Sequence, residues 1–167
     1  MAKAKRDLSE PQSLYDRDFF AWTRQQAALL RRGAAGGPSA DLDFENLAEE
    51  IESLGKRDRR ALASQLARIT EHLLKLQHAQ ADEPRAGWEN SVDAHRSKAR
   101  RILADSPGFK GELKEILSES YEDGRRSAAR SLRGALGLKA LPETCPYSVE
   151  AIFDPDWWPP RTGRDRC

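Results

Sequence analysis

A run of apolar residues at helical spacing, between residues 41 and 78, constrains the fold of this chain most. Its members are Leu47, Ile51, Leu54, Leu62, Leu66, Ile69, Leu73 and Leu76. Ile51 and Leu62 are eleven residues apart, which is close to three helical turns, so both ends of the run lie on one side of a helix. The sequence therefore predicts one helix over residues 43–79. Gly55 is the position where this helix could kink or break.

The rest of the sequence predicts further helices and no strands. Apolar residues at steps of three and four predict helices over residues 16–32, 88–105 and 107–136. Ser148 can cap a short helix over residues 149–153. No segment alternates between polar and apolar residues as a strand would. We therefore expect an all-α fold, an antiparallel helical bundle of four to five helices with a short C-terminal helix and an irregular tail.

The length of 167 residues suits one domain with a real core. We expect this single helical domain over residues 13–158, with a disordered tail at 1–12 and a flexible tail at 159–167. Trp157 and Trp158 should dock on the bundle, because two adjacent exposed indoles would form an unfavourable apolar patch.

Composition narrows the classes of function. The net charge is +1, so the overall basic excess that favours nucleic-acid binding is missing. No apolar run reaches the roughly 18–20 residues that span a bilayer, and no apolar leader opens the chain. Cys145 and Cys167 lack the spacing of a zinc site and are too few for a disulfide framework. We expect a soluble cytoplasmic protein with no membrane contact.

Five pieces of sequence occur in a specific order along the chain. They are residues 15–22, 43–54 and 72–75, then Trp88 with Ser91, Val92 and Arg96, and finally Pro142 with residues 145–147. Together they resemble the DUF29 family, small and mostly bacterial proteins of unknown function. The resemblance implies an all-helical domain and no particular chemistry. His95 stands where the family more often has glutamine, which weakens any shared catalytic role for this histidine.

Acidic, histidine and arginine residues near the apolar stripes form a candidate polar cluster. Its members are Glu49, Glu50, His72, His95 and Arg96. Carboxylates and imidazoles in a bundle could hold a divalent metal that activates water, and Glu50 and His72 are the candidate ligands. On a straight helix, however, these two residues lie about 33 Å apart. The paired ExxH and the HExxH motifs are also absent.

We therefore expect no metal and no cofactor, and structural roles for the polar cluster. Arg96 could form a bidentate bridge to Glu49 or Glu50. His95 could bond to Glu50.

Three large rings at motif positions form a candidate aromatic pocket: Tyr15, Trp22 and Trp88. Such side chains bury large apolar areas, so closing the core of the bundle is their expected role. Stacking on a ligand is the alternative.

The leading hypothesis for function is a module that binds another macromolecule, either a different protein or a second copy in a homo-oligomer. A first alternative is a metal-dependent hydrolase or nuclease that uses Glu49, Glu50 and His72, with His95 in support. A second alternative is nucleic-acid binding through arginine clusters near residues 57–60, 96–101 and 125–133. Acidic residues are interleaved with these arginines, so a salt-bridged surface is the expected outcome, and neither an enzyme nor a nucleic-acid partner is favoured.

Overall fold

The computed structural model describes residues 13–35, 43–79, 85–132 and 137–162, and all regular structure in these ranges is helical. The six α-helices are α1 (Leu14–Arg17), α2 (Phe19–Ala35), α3 (Phe44–His78), α4 (Arg85–Asp105), α5 (Leu113–Ser131) and α6 (Val149–Phe153). Short 3-10 turns at Pro107–Gly111 and Leu138–Ala140 complete the regular structure. The all-α prediction is confirmed.

Helix α3 is the spine of the molecule. Its 35 residues continue through Gly55 without a break, a length of about 52 Å. Helix α2 packs antiparallel on its N-terminal half, where Thr23 lies against Gly55. Helix α4 runs antiparallel along its C-terminal half, where Ser91 bonds to His72. Helices α2, α3 and α4 are therefore antiparallel to their neighbours along the chain, as the sequence predicts.

Helix α5 packs on another side of α3 and runs in the same direction. Arg59 on α3 bonds to Glu119 on α5 at 2.8 Å, and further along both helices Gly124 lies against Ala67 and Thr70. The side chain of Thr70 bonds to carbonyls of its own helix and leaves room for the glycine. Backbone of α5 can therefore approach α3 closely, because no Cβ separates them at this point.

The core surrounds the C-terminal half of α3. Its members come from α3, α4, the 3-10 turn at Pro107–Gly111, α5 and the C-terminal segment (residues 137–162). They include Leu62, Leu66, Ile69, Leu73, Leu76, Val92, Ala99, Phe109, Ile116, Tyr121, Leu141 and Ile152. In the N-terminal half of α3, only Ala48 and Gly55 are buried. Helix α3 thus belongs to a full bundle at one end and to a two-helix hairpin with α2 at the other.

Four predicted features differ from the structure or are decided by it. The helix predicted over residues 107–136 is a 3-10 turn at Pro107–Gly111 followed by α5 from Leu113, and residues 133–136 lie outside the described residues. The first helix is split at Asp18, whose side chain accepts a hydrogen bond from the amide of Ala21 and so starts α2 afresh. The third helix begins earlier than expected, at Arg85. Helix α3 continues through Gly55 without a break, and the missing side chain at this position makes room for Thr23 and Phe20 of α2.

The C-terminal segment is irregular and well anchored. Trp157 contacts the ring of Tyr147, and Trp158 lies against the guanidinium of Arg96, so both tryptophans dock as predicted. Thr162 bonds to the carbonyl of Gln77, so this part of the expected flexible tail contacts the domain. The predicted tail at 1–12 and residues 163–167 lie outside the described residues. Within the described ranges, no helix is long and apolar enough to cross a membrane.

We expect Gly124→Ala to destabilise the fold. A Cβ at this position would lie 2.5 Å from the carbonyl oxygen of Ala67, which is backbone of α3 and cannot move alone. The resulting shift of α5 should lower the free energy of unfolding by about 2 kcal/mol, although alanine favours helices more than glycine. Urea denaturation followed by circular dichroism measures this change.

Gly87→Ala is the matched control. A Cβ at Gly87 would have no neighbour within 4 Å, so the helix propensity of alanine should raise the free energy of unfolding by up to about 1 kcal/mol. Equal effects of the two substitutions would contradict the close approach of α5 to α3.

Candidate functional site

The structure separates the members of the predicted polar cluster into three places. Glu49 and Glu50 are exposed on the N-terminal half of α3. His72 and His95 meet between the C-terminal half of α3 and α4. Arg96 is fully buried against the C-terminal segment. The predicted bridge from Arg96 to Glu49 or Glu50 and the bond from His95 to Glu50 are therefore wrong, because these partners lie far apart along α3.

The metal-dependent hydrolase needs Glu50 and His72 around one ion. Since α3 is continuous between them, they lie about 33 Å apart along its axis, so they cannot share a ligand. Among the residues that the structure describes, no group of three or more His, Cys, Asp or Glu side chains could hold a metal ion. The described residues therefore offer no metal site for the hydrolase hypothesis.

His72 and His95 form a stacked pair at the interface between α3 and α4. Their ring centroids are 6.4 Å apart and the rings are nearly parallel, at 16°. The Nε2 atom of His72 lies 3.0 Å from the hydroxyl of Ser91, and the Nδ1 atom of His95 lies 2.7 Å from Oε1 of Gln65. The Nδ1 atom of His72 is buried and has no hydrogen-bond partner within the described structure. A Ser–His contact exists, but no third group orients the imidazole as a catalytic triad requires.

The surroundings of this pair favour neutral rings. Burial lowers the pKa of His72 and of His95, and nearby cations, among them Arg68, lower both further. Glu71 opposes these effects, but Lys75 and Arg68 already bond to its carboxylate. Burial alone would raise the pKa of Glu71, and these two cations hold it below its usual value. The pair is therefore a half-buried polar contact that protonation would disturb.

Arg96 fastens the C-terminal segment to α4. Its Nε donates to the carbonyl of Ile152 at 2.7 Å, and an Nη donates to the carbonyl of Trp157 at 3.1 Å. Its guanidinium also contacts Asp93 at 3.3 Å and lies 4.9 Å from the ring centre of Trp158. Burial lowers the pKa of Arg96 and Asp93 opposes this, yet a guanidinium stays charged. Arg96 is structural here, because it satisfies carbonyls in the last turn of α6 and in the segment that follows it.

The aromatic residues form one cluster and one separate ring. Tyr15 and Trp22 are in edge contact at 4.8 Å, and Phe19 joins them. Trp88 lies near the start of α4, close to the C-terminal end of α3, where Arg85 bonds to the carbonyl of Leu76. Trp22 is instead next to Thr23, which packs on Gly55. The predicted pocket of Tyr15, Trp22 and Trp88 is therefore not assembled, because about 30 Å of α3 separates its two parts.

Beyond the bundle, the α2–α3 hairpin presents an apolar side that we name the hairpin face. It consists of eight half-buried or exposed residues: Phe19, Trp22, Leu29, Leu30, Phe44, Leu47, Ile51 and Leu54. Exposed fractions reach 47% for Leu29 and 41% for Leu47, and Tyr15 beside them is 51% exposed. Contiguous apolar surface of this kind marks interaction sites on proteins.

The hairpin face continues the side of α3 that α4 covers. Leu47 precedes Gln65 by 18 residues and Leu54 precedes His72 by 18, which is five full turns, so these residues lie on one side of the helix. Gln65 and His72 face α4. Burial and the nearby carboxylate of Asp105 raise the pKa of Asp58, so α4 ends beside Asp58. The apolar stripe of α3 is thus longer than the helix that covers it.

The opposite side of the hairpin is polar and ion-paired. Arg31 bonds to Glu52 at 2.7 Å and lies 3.6 Å from Glu45, and Lys56 approaches Glu52 at 3.7 Å. Arg59 extends this side by pairing with Glu119 of α5. The hairpin therefore has one charged, ion-paired side and one apolar side, which is the hairpin face.

A second surface feature is a groove of about 690 Å³ between α3 and α5. Its walls carry five arginines: Arg59, Arg60, Arg68, Arg126 and Arg130. Acidic residues share the same walls, and Glu119 and Glu71 pair with Arg59 and Arg68. Arg125, part of a predicted basic cluster, is buried and donates to the carbonyls of Leu138 and Leu141. The arginine clusters therefore form a mixed groove and internal bonds, not a continuous basic surface.

Sequence reasoning missed the hairpin face, although a signal was present. The apolar stripe at Leu47, Ile51 and Leu54 is visible in the sequence, and α2 carries Trp22 and Leu29 at a spacing of seven. Periodicity shows that a helix has an apolar side. It does not show how far the neighbouring helices extend along that side.

Taken together, the fold and surface define a small all-helical domain built on one long helix. The chain belongs to the DUF29 family, a domain of unknown function, whose family model matches residues 14–158. Its fold is similar to the crystal structure of an α-helical protein of unknown function from Rhodospirillum rubrum, with a TM-score of 0.61 and 23% identity over 89% of this chain and 93% of that chain. At this identity the likeness establishes the fold alone. No curated protein matches the chain.

The histidine pair predicts an acid-sensitive interface. Because the pKa values of His72 and His95 are lowered in the folded state, the unfolded state binds more protons below the usual value of 6.5. Stability should be constant above about pH 7 and should fall as the pH decreases toward about 5.5. Urea unfolding across this range measures the loss.

His95→Gln is the variant that isolates this effect. Glutamine keeps a polar side chain within reach of Gln65 and removes one titrating ring, so the fall in stability should become shallower. His78, whose pKa burial also lowers, remains as a background contribution. An unchanged pH dependence in this variant would contradict the assignment.

Arg96→Ala should detach the C-terminal segment. The carbonyls of Ile152 and Trp157 would lose their donors, and the free energy of unfolding should fall by about 3–5 kcal/mol. Tryptophan fluorescence should shift to the red as Trp157 and Trp158 meet water. Arg101→Ala, an exposed position on the same helix, should change stability by less than about 0.5 kcal/mol. Similar effects of both substitutions would refute the anchoring role.

Proposed function

We propose that this protein is a protein-binding module whose partner docks on the hairpin face. The observation that supports this most directly is the row of eight large apolar side chains on α2 and α3 beyond the end of α4. Shielding them from water would release about 25 cal/mol for each Å² of apolar surface covered. No comparable gain is available at the ion-paired side of the hairpin.

Chemistry at the same face also favours a protein partner. The rings of Tyr15 and Trp22 are large, rigid and amphipathic, and such residues dominate binding energy at protein interfaces. The apolar row follows helical spacing on both helices, so it suits a partner that contributes helices of its own. A cytoplasmic setting is part of this proposal and stays a prediction.

Two other functions have weaker support. The hydrolase lacks a common site for Glu50 and His72, as described above. Nucleic-acid binding would use the groove between α3 and α5, where five arginines line the walls. Glu71, Glu119 and Asp123 line the same groove and would repel a phosphate backbone. We therefore favour the apolar hairpin face over the mixed groove.

Photo-crosslinking in cells that naturally produce the protein tests this proposal. A benzoylphenylalanine in place of Leu47 should form a covalent adduct with a protein partner, because this residue belongs to the hairpin face and is 41% exposed. Mass spectrometry of the adduct identifies the partner.

The matched control carries the same photoreactive residue in place of Glu115, which is exposed on α5 away from the hairpin. This control should give no adduct or a much weaker one. If Leu47 gives no protein adduct, or if both positions give the same adducts, the hairpin face is not a protein-binding site.

A further inference from the structure

We propose that a cleft between the last turns of α4 and α6 binds a small anionic amphiphile, that is, a free carboxylate with an apolar tail. We name it the α4–α6 cleft. Its six lining residues come from α4, the 3-10 turn after it, α5 and α6: Arg100, Leu103, Ala104, Lys110, Leu113 and Phe153. None of them belongs to the hairpin face, so this proposal is independent of the protein-binding function.

The walls of the α4–α6 cleft are mostly apolar. Leu103 and Leu113 are buried core residues, and the half-buried ring of Phe153 packs against the same core. Ala104 is exposed and small, so it leaves the cleft open to solvent. The cleft has a volume of about 490 Å³, which is within the range of about 300–1,000 Å³ for small-molecule sites. These walls suit an alkyl chain or a single aromatic ring.

Both polar side chains that line the cleft are cations. Lys110 is exposed and forms no hydrogen bond or ion pair with another described residue. Arg100 donates one hydrogen bond to the carbonyl of Phe153, and a guanidinium has further N–H groups to offer. None of the lining residues is acidic. Charge complementarity therefore favours an anionic head group, and a carboxylate can accept from both cations.

Acidic residues near the cleft do not line it. Asp154 and Asp18 each accept a hydrogen bond from a backbone amide two or three residues further along the chain. Glu115 is two residues beyond Leu113, which places it on the opposite side of α5. Within the described structure, none of these carboxylates forms an ion pair with Arg100 or Lys110, so both cations remain available to a ligand.

The start of α5 adds to the attraction for an anion. Leu113, which lines the cleft, is the first residue of α5, and the side chain of the N-cap residue Glu112 does not cap the helix. The carboxylate of Glu112 instead approaches Arg24 and Arg59. The first amides of a helix lack partners within it and carry partial positive charge. A carboxylate bound in the cleft would lie near this charge as well as near the two cations.

Isothermal titration calorimetry of the full chain with sodium octanoate at low ionic strength tests the cleft. We expect a dissociation constant below about 1 mM, because the tail covers apolar walls and the head meets two cations. Acetate offers the head without the tail, and 1-octanol offers the tail without the charge. Each of them should bind at least about tenfold more weakly than octanoate.

Two variants should remove the site without unfolding the protein. Lys110→Glu should raise the dissociation constant for octanoate at least about tenfold, because it places a carboxylate beside the bound one. Ala104→Trp should abolish binding by filling the cleft from an exposed position. Lys98→Glu is the matched control, since Lys98 is exposed on the opposite side of α4 from Arg100. This control changes the net charge equally and should keep the dissociation constant within about twofold.

Amide chemical shifts from nuclear magnetic resonance locate the bound octanoate. They should change most at Ala104, Lys110 and Leu113. Largest changes on α2 and the N-terminal half of α3 would mean that the tail binds the hairpin face, and would overturn the proposal.

Three further results would contradict the α4–α6 cleft. The first is no binding of octanoate up to about 10 mM. The second is an equal loss of affinity in Lys110→Glu and Lys98→Glu. The third is binding to phosphatidylglycerol vesicles that depends on Lys110 in a protein that ignores free octanoate, because the ligand would then be a lipid surface.

Discussion

The structure depends on the burial of the apolar stripe of one 35-residue helix, which is complete over the C-terminal half of that helix and only partial over its N-terminal half. Helix α3 has different partners at its two ends. Helices α4 and α5 enclose its C-terminal half, whereas α2 is the main neighbour of the N-terminal half, where Thr23 lies against Gly55. Close approach at Gly55 and Gly124 makes both packings possible, since a side chain at either position would collide with the neighbouring helix.

Two buried arginines also stabilise the fold by donating hydrogen bonds to backbone carbonyl groups of the C-terminal segment. Arg96 and Arg125 each donate to at least two carbonyl groups of residues 138–157. Carbonyls in short turns, at helix ends and in irregular backbone lack partners within a helix or sheet and need donors when they are buried. A guanidinium supplies several in a fixed plane, which a lysine cannot do. These arginines explain why the irregular C-terminal segment stays on the bundle.

The three surface and interface features of α3 that could serve a function do not lie together in one site. The histidine pair, the arginine groove and the hairpin face lie on different parts of α3, and none of them gathers the nucleophile, base and orienting group that catalysis requires. The hairpin face differs from the other two because its exposure costs free energy. This cost is the reason for proposing the hairpin face, and neither of the polar features, as the protein-binding surface.

The sequence by itself determined the helices and their main apolar sides, because periodicity and capping are local properties that depend on residues a few positions apart. It located α3 to within a residue at each end, the Ser148 cap of α6 and the docking of the two tryptophans. Tertiary structure alone decided which polar side chains meet. Arg96 bonds to residues more than fifty positions away, and Gln65 reaches His95 from another helix; no local pattern encodes such pairs. The relative lengths of the packed helices are also a tertiary property, and they leave the N-terminal part of the stripe uncovered.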